Sequence, residues 1–410
     1  METEDALIWI ERGLALDDQE RYDDALRAYE QALALAPRLA SAWFLKAGVL
    51  LMLERNEEAL HAFERTLELT SDESLQALER SVEPVADEAD LWAGKAHALA
   101  GLERHEEALV ALEQALTLDP TTALTWVARG HSLGELGQRE EASGHHAEAQ
   151  RHHTEALAAY TRATALEPDE TEGWLGKGDA LADLNRHAEA LEAYDHAAWL
   201  DPDDVEVWLK RGDTLDSLER FEEALAAYDQ AIALNDEDAD AWMGRGDALV
   251  DLERPEEALA AYRRALELTP TLADAWSSLG DALADLDREN EALAAYDRAL
   301  ALDRESPHAW SGKALILSRL GRHPTAARAF HRALELNPES AILWLFSGHT
   351  QAALDHPTQA LSAYDRAIAL DADLAPAWLA KAAMLSALGR AEEAQHAYAR
   401  AIELGEWDEE

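Results

Sequence analysis

The chain has 410 residues, of which 83 are Asp or Glu and 35 are Lys or Arg, for a formal net charge of −48; six of the basic residues are lysine. Phosphate binding needs cationic surface, so this balance argues against nucleic acid as a partner, and against anionic membrane for the same reason. With no cysteine, disulfides, thiolate metal sites and cysteine nucleophiles are excluded together.

No hydrophobic run approaches the ~18 to 20 residues that span a membrane. The acidic start, Met1 to Asp5, is unlike a secretory signal, so a cytoplasmic protein is expected. Two origins of the acidity stay open. It could recruit a basic partner, or it could be a solvation strategy in high salt, since low lysine and carboxylates spread over every repeat look like a halophile's composition.

Tryptophan marks a period. Trp9 and Trp43, Trp92 and Trp126, and then Trp174, Trp208, Trp242, Trp276, Trp310, Trp344 and Trp378 are each spaced by 34 residues. Four residues on stands a small residue, such as Gly178 or Gly246, and seven on stands leucine in all repeats but that of Gln351. These i, i+4, i+7 positions form one helix face. After a polar turn a second set follows, typified by Ala224, Tyr228 and Ala231. Pro37, Pro120, Pro168, Pro202, Pro270 and Pro338 then stop the second helix. Each unit encodes two antiparallel helices.

This pattern resembles the tetratricopeptide repeat (TPR) family, in eleven copies from about Ala6 to Asp408. The resemblance implies an all-α fold, a right-handed superhelical solenoid of tandem antiparallel helix hairpins, with a concave groove lined by first helices. In chain order we expect two repeats over 6–73, an inter-repeat insertion with a short helix over 74–88, two repeats over 89–170, and seven over 171–408. For the insertion, Thr70 and Glu73 have capping-box spacing before Leu75, Leu78 and Val82, and Glu83-Pro84 would end the helix.

The repeat of Trp126 carries 14 extra residues between Leu136 and Ala156, with a histidine-rich tract near 140–153. An elongated second helix projecting about 20 Å is expected. His145, His146, His152 and His153 are weak candidates for a metal, because no pair has the i, i+3 or i, i+4 spacing of a chelate. Solvated histidines on a projecting hairpin are the expectation, with no metal or other cofactor.

At ~100° per residue, the fifth and ninth residues after each tryptophan point away from the packed face and toward the groove. In the central repeats these are Asp179 and Asp183, Asp213 and Ser217, Asp247 and Asp251, and Asp281 and Asp285, with Asp216 nearby. Like charges at i, i+4 repel, so helix stability does not explain them. The functional reading is a protein-interaction scaffold in which these eight aspartates receive a basic partner segment. The competing reading is salt-adapted surface. The lysines and asparagines with which some family members clamp acidic tails are missing from these positions.

The basic residue three after tryptophan, as in Lys46, Arg211 and Lys313, reads as structural. Catalysis is not expected, because no phosphate loop, nucleophile elbow or His-Glu-x-x-His occurs and the carboxylates recur by period. The alternative role is self-assembly into homo-oligomers through the C-terminal repeat, where Tyr398 and Ile402 would offer apolar surface.

Overall fold

The computed structural model describes residues 2–70 and 87–405. Among these residues there are 22 helices and no strand. Of the insertion expected at 74–88, only Asp87 and Glu88 fall within the described residues, where they open the next helix. The chain divides into two compact units, Met1–Leu218 and Glu219–Glu410.

The first unit contains α1 (Glu2–Asp17), α2 (Tyr22–Leu35), α3 (Ala40–Met52), α4 (Asn56–Thr70), α5 (Glu88–Ala100) and α6 (His105–Leu118). It continues with α7 (Ala123–Ala142), α8 (His146–Leu166), α9 (Thr171–Asp183), α10 (His187–Leu200) and α11 (Val205–Ser217). The second unit contains α12 (Phe221–Leu234), α13 (Ala239–Asp251), α14 (Pro255–Leu268), α15 (Ala273–Asp285), α16 (Glu289–Leu302) and α17 (Pro307–Arg319). It ends with α18 (His323–Leu336), α19 (Ala341–Ala353), α20 (Pro357–Leu370), α21 (Ala375–Ala387) and α22 (Ala391–Leu404). Within each unit consecutive helices pack as hairpins, α1 on α2 through α9 on α10 and α13 on α14 through α21 on α22. Each hairpin also packs on the next of its unit.

The turns that close the hairpins share one device. The residue eleven after tryptophan takes the left-handed conformation in every repeat but that of Trp126, as at Glu253 (φ 56°). The Arg254 amide then donates to the Leu249 carbonyl at 2.8 Å, which satisfies an otherwise orphaned helix end. The Arg254 guanidinium pairs with Glu257 in the first turn of α14 at 2.7 Å.

Tryptophan is held by both of its chemistries. The Trp276 indole donates to the Pro270 carbonyl at 3.1 Å and Trp344 to that of Pro338 at 2.9 Å, so the helix-stopping proline also presents the acceptor. Over the ring sits the basic residue three places on. The Lys313 ammonium lies 5.2 Å from the Trp310 centroid and 2.5 Å from Asp297 of the preceding helix.

The core is the set of alanine, leucine and aromatic positions read from the period. Tyr29, Tyr194, Tyr262, Tyr296 and Tyr364 are each at most 2% exposed. A Cβ at Gly280 would come within 2.6 Å of the Tyr296 ring, and one at Gly312 of the next hairpin within 2.4 Å of it. The small residues thus seat the tyrosine of their own repeat and of the one before. A single buried cluster runs from Leu249 to Leu343 in the second unit, and each fully buried leucine in it contributes about 1.5–3 kcal/mol.

The 14 extra residues after Trp126 do not lengthen one helix, as expected, but two. Helix α7 has 20 residues and α8 has 21, against 13 and 14 in the next hairpin, α9 and α10. Seven residues on each side extend the hairpin by about 10 Å rather than 20 Å. Gly144 makes the turn at φ 78°. Pairing both added segments lets each satisfy its backbone while burying Leu136 and Ala149.

Candidate partner-binding face

The eight aspartates lie on first helices, but the protein has uses for several of them. In the first unit Asp179 accepts a hydrogen bond from the Tyr194 hydroxyl at 2.7 Å and pairs with Lys210 at 3.3 Å. In the second unit Tyr262 donates to Asp247 at 2.7 Å and Tyr296 to Asp281 at 2.5 Å. Asp281 also takes the His308 imidazole at 2.6 Å. That hydrogen bond holds His308 above the ordinary histidine pKa, against the opposing effect of its burial. The tyrosine hydroxyls are pushed well above the usual phenol range by burial and the facing carboxylates, so they remain donors.

The ninth position behaves differently from the fifth. It meets the first residue of the preceding second helix: Asn56 donates to the Gly101 carbonyl at 3.1 Å, and Arg319 pairs with Glu289 at 3.1 Å. Asp183 meets the equivalent register position of the lengthened α8, seven residues inside that helix. Its carboxylate lies 3.1 Å from Nδ1 of His153, and burial pushes its pKa up. By repeat register Asp251 and Asp285 correspond to Phe221 and Pro255, which offer no polar side chain, and both aspartates are exposed. Asp213 is exposed and Asp216 half-buried.

The histidines of the long hairpin separate accordingly. His145 and His146 are exposed at the tip, 2.7 Å from Glu140 and 3.9 Å from Glu141. His152 is half-buried. His153 is not the solvated residue expected, being 1% exposed. The cause is Gly137 on the facing helix, where a Cβ would lie 2.5 Å from the His153 ring. The absent side chain leaves the space that the imidazole fills. Among the described residues no group of three His, Asp or Glu is arranged to hold a metal ion.

Sequence reasoning missed the tyrosine partners, although their signal is present. Aspartate five after tryptophan occurs only in the repeats of Trp174, Trp208, Trp242 and Trp276, and each of these has tyrosine twenty after it. The first helices α19 and α21 are different again. Ile342, Phe346 and Leu379 are exposed there, and His349 stacks edge-on between Phe346 and Tyr364 at 6.0 and 5.6 Å.

Profiles of the tetratricopeptide repeat match residues 10–74, 141–205, 209–273 and 311–375, with others at 249–316, 89–122 and 375–404. The chain belongs to the tetratricopeptide repeat family. Tetratricopeptide repeats generally mediate protein–protein interaction and are generally non-catalytic. Solved structures share the repeat. YrrB, described as a TPR protein with an unusual peptide-binding site, is 28% identical over 47% of this chain and 98% of its own, with a TM-score of 0.40. A chain of the APC/C hetero-tetramer Cut9–Hcn1 is 14% identical over 100% of this TPR chain and 95% of its own, with a TM-score of 0.51. A tetratricopeptide repeat protein from Parabacteroides merdae is 18% identical over 58% of this chain and 94% of its own, at 0.47. The Cut9–Hcn1 likeness is one of fold alone. No functionally curated protein matches this TPR chain. No helix among its described residues is long and apolar enough to cross a membrane.

Proposed function

We propose that the protein is a non-catalytic interaction scaffold of the cytoplasm whose acidic first helices receive a basic segment of a protein partner. The observation that carries this reading is the pairing of Tyr262 with Asp247 and of Tyr296 with Asp281. A neutral hydroxyl orients a carboxylate without cancelling its charge. Beside these, Asp251 and Asp285 are exposed and have no ion-pair partner among the described residues. A basic segment on these four aspartates, with His308 reducing the charge of Asp281, gains charge-assisted hydrogen bonds with acceptors already held in place. In the first unit Asp179, Asp183, Asp213 and Asp216 would serve in the same way, with Lys210 and His153 reducing the charge of the first two.

The test is capture of partners from host lysate, near its native ionic strength, by the wild type and by a variant with Asp247, Asp251, Asp281 and Asp285 changed to Asn. Asparagine still accepts the tyrosine hydrogen bond, so the fold is kept while the charge is removed. A basic partner retained only by the wild type supports the proposal. The same proteins retained by both would make the aspartates salt-adapted surface. That outcome would also be accompanied by loss of helical signal in dilute buffer and its return in molar potassium chloride.

A second reading, self-assembly, rests on α22. There Tyr398 is 52% and Ile402 50% exposed, whereas Tyr364 of the preceding repeat is 2% exposed. Sedimentation should show a mass that rises with concentration and stops rising in Tyr398→Glu. A single mass at all concentrations removes this reading.

A further inference from the structure

The outer ridge of α10 departs from every other second helix. Allowing for the insertion, the residue 22 after tryptophan is Arg or Gln in all other repeats, and the residue 25 after it is Ala, Thr or Glu. Where Arg and Glu coincide they pair, as in Arg264–Glu267 at 3.3 Å and Arg332–Glu335 at 3.0 Å. In α10 these two positions are His196 and Trp199. The His196 ring packs 4.1 Å from the Trp174 centroid and 5.7 Å from that of Trp199. Trp199 lies outside the 34-residue register and is 72% exposed, the most exposed large hydrophobic side chain among the described residues. A single such indole at a protein surface is the side chain most often found at the energetic centre of an interface.

The protein's own treatment of tryptophan indicates what would cover it. Nine register tryptophans carry a Lys or Arg of the same chain over the ring. In several that cation also meets a carboxylate, as with Lys313 between Trp310 and Asp297, or Lys381 over Trp378 and 2.6 Å from Asp365. Indole, cation and carboxylate form one repeated unit. At the α10 ridge two of the three are present. Glu192 stands one turn before His196 and two turns before Trp199, on the same helix face. It is exposed, and among the described residues it has no ion-pair partner and no cation covers Trp199. A cleft of about 430 Å³ opens beside the ridge, lined by Trp174, Lys177, Arg186, Glu189, Glu192 and His196, so its own two cations are balanced by two carboxylates.

We propose that the α10 ridge is a second docking surface, on second-helix residues and separate from the acidic first-helix face, for an extended partner segment with two basic residues three apart. One cation stacks on Trp199 and the other pairs with Glu192. Two helical turns separate Glu192 from Trp199 by about 10 Å, roughly the span of three residues of polyproline-II chain, whose three-residue period puts both basic side chains on one side. Arginine fits better than lysine, because its planar guanidinium stacks on indole and keeps its hydrogen bonds in the ring plane.

The test uses the full chain and the probe peptide Gly-Ser-Arg-Gly-Ser-Arg-Gly-Ser, followed at the tryptophan indole N–H resonances. Trp199 is assigned by Trp199→Phe, and the register tryptophans serve as internal references. The expected result is a saturable shift at Trp199 alone. It should weaken roughly fivefold or more when both arginines are replaced by citrulline, which keeps the planar group and removes the charge. Glu192→Gln should weaken binding to a similar degree. The four-aspartate variant of the first-helix face should leave it unchanged. Equal shifts at all indoles, no shift at Trp199, or equal binding of the citrulline peptide would overturn the proposal. A Trp199 shift produced instead by the same peptide with glutamates would assign the ridge to an acidic ligand and also overturn it.

Discussion

The Tyr262 hydroxyl donates to the Asp247 carboxylate across the hairpin at 2.7 Å, joining the most buried ring of one helix to a charge on the face of the other. This relationship recurs at Tyr296 and Asp281 and at Tyr194 and Asp179. A hydrogen bond from a neutral donor to a charged acceptor contributes about 1.5–3 kcal/mol. Tyr262→Phe should therefore lower unfolding free energy by roughly that amount in a urea titration, and Asp247→Asn by much less. If both cost the same, charge rather than hydrogen bonding is what the pair supplies.

The pairing of His308 with Asp281 sets a pH dependence. The folded-state pKa of His308 is raised, so its contribution is fully present below the unfolded value of about 6.5 and is lost as pH rises through the folded value. The stability advantage of wild type over His308→Gln should be larger at pH 5.5 than at pH 8.5. An advantage equal at both pH values would show that the imidazole acts only as a neutral donor.

The seat of His153 is tight. Gly137→Ala places a methyl group 2.5 Å from the imidazole, which cannot retreat because it fills a closed space beside Asp183. A loss of about 1–3 kcal/mol is expected. Adding His153→Ser should recover part of it. No recovery in the double variant would mean that the α7 backbone, not the ring, resists the methyl.

The hairpin turns hold strain that glycine would release. Glu253 has φ 56°, whereas Gly321 and Gly389 occupy the same turn position in later repeats. Glu253→Gly should raise stability by about 0.5–1 kcal/mol, since the left-handed region disfavours a Cβ. A melting temperature that falls instead would show that the glutamate side chain stabilises the turn by more than its backbone strain costs.

Much of the fold was legible because repetition multiplies a weak signal. One Trp, small residue and Leu at helical spacing could belong to any amphipathic helix, but their recurrence with Ala224, Tyr228 and Ala231 identifies a packed hairpin. The long hairpin was misread because its 14 extra residues have no period of their own, and nothing in His145 to His153 states how they divide between two helices. The aspartates were read by angle alone. Angle says which way a side chain leaves its helix, not which neighbour reaches it.

By itself the sequence determined the period, the helix pairs, the buried face and the absence of cysteine chemistry. These follow from spacing and residue type, which act within one repeat or between identical neighbours. Only the tertiary structure decided that Asp183 meets His153, that Asp281 is shared by Tyr296 and His308, and that Trp199 is the most exposed large hydrophobic side chain among the described residues. Each of these depends on side chains brought together from different helices, where a missing Cβ or a two-turn extension changes the partner without changing the pattern.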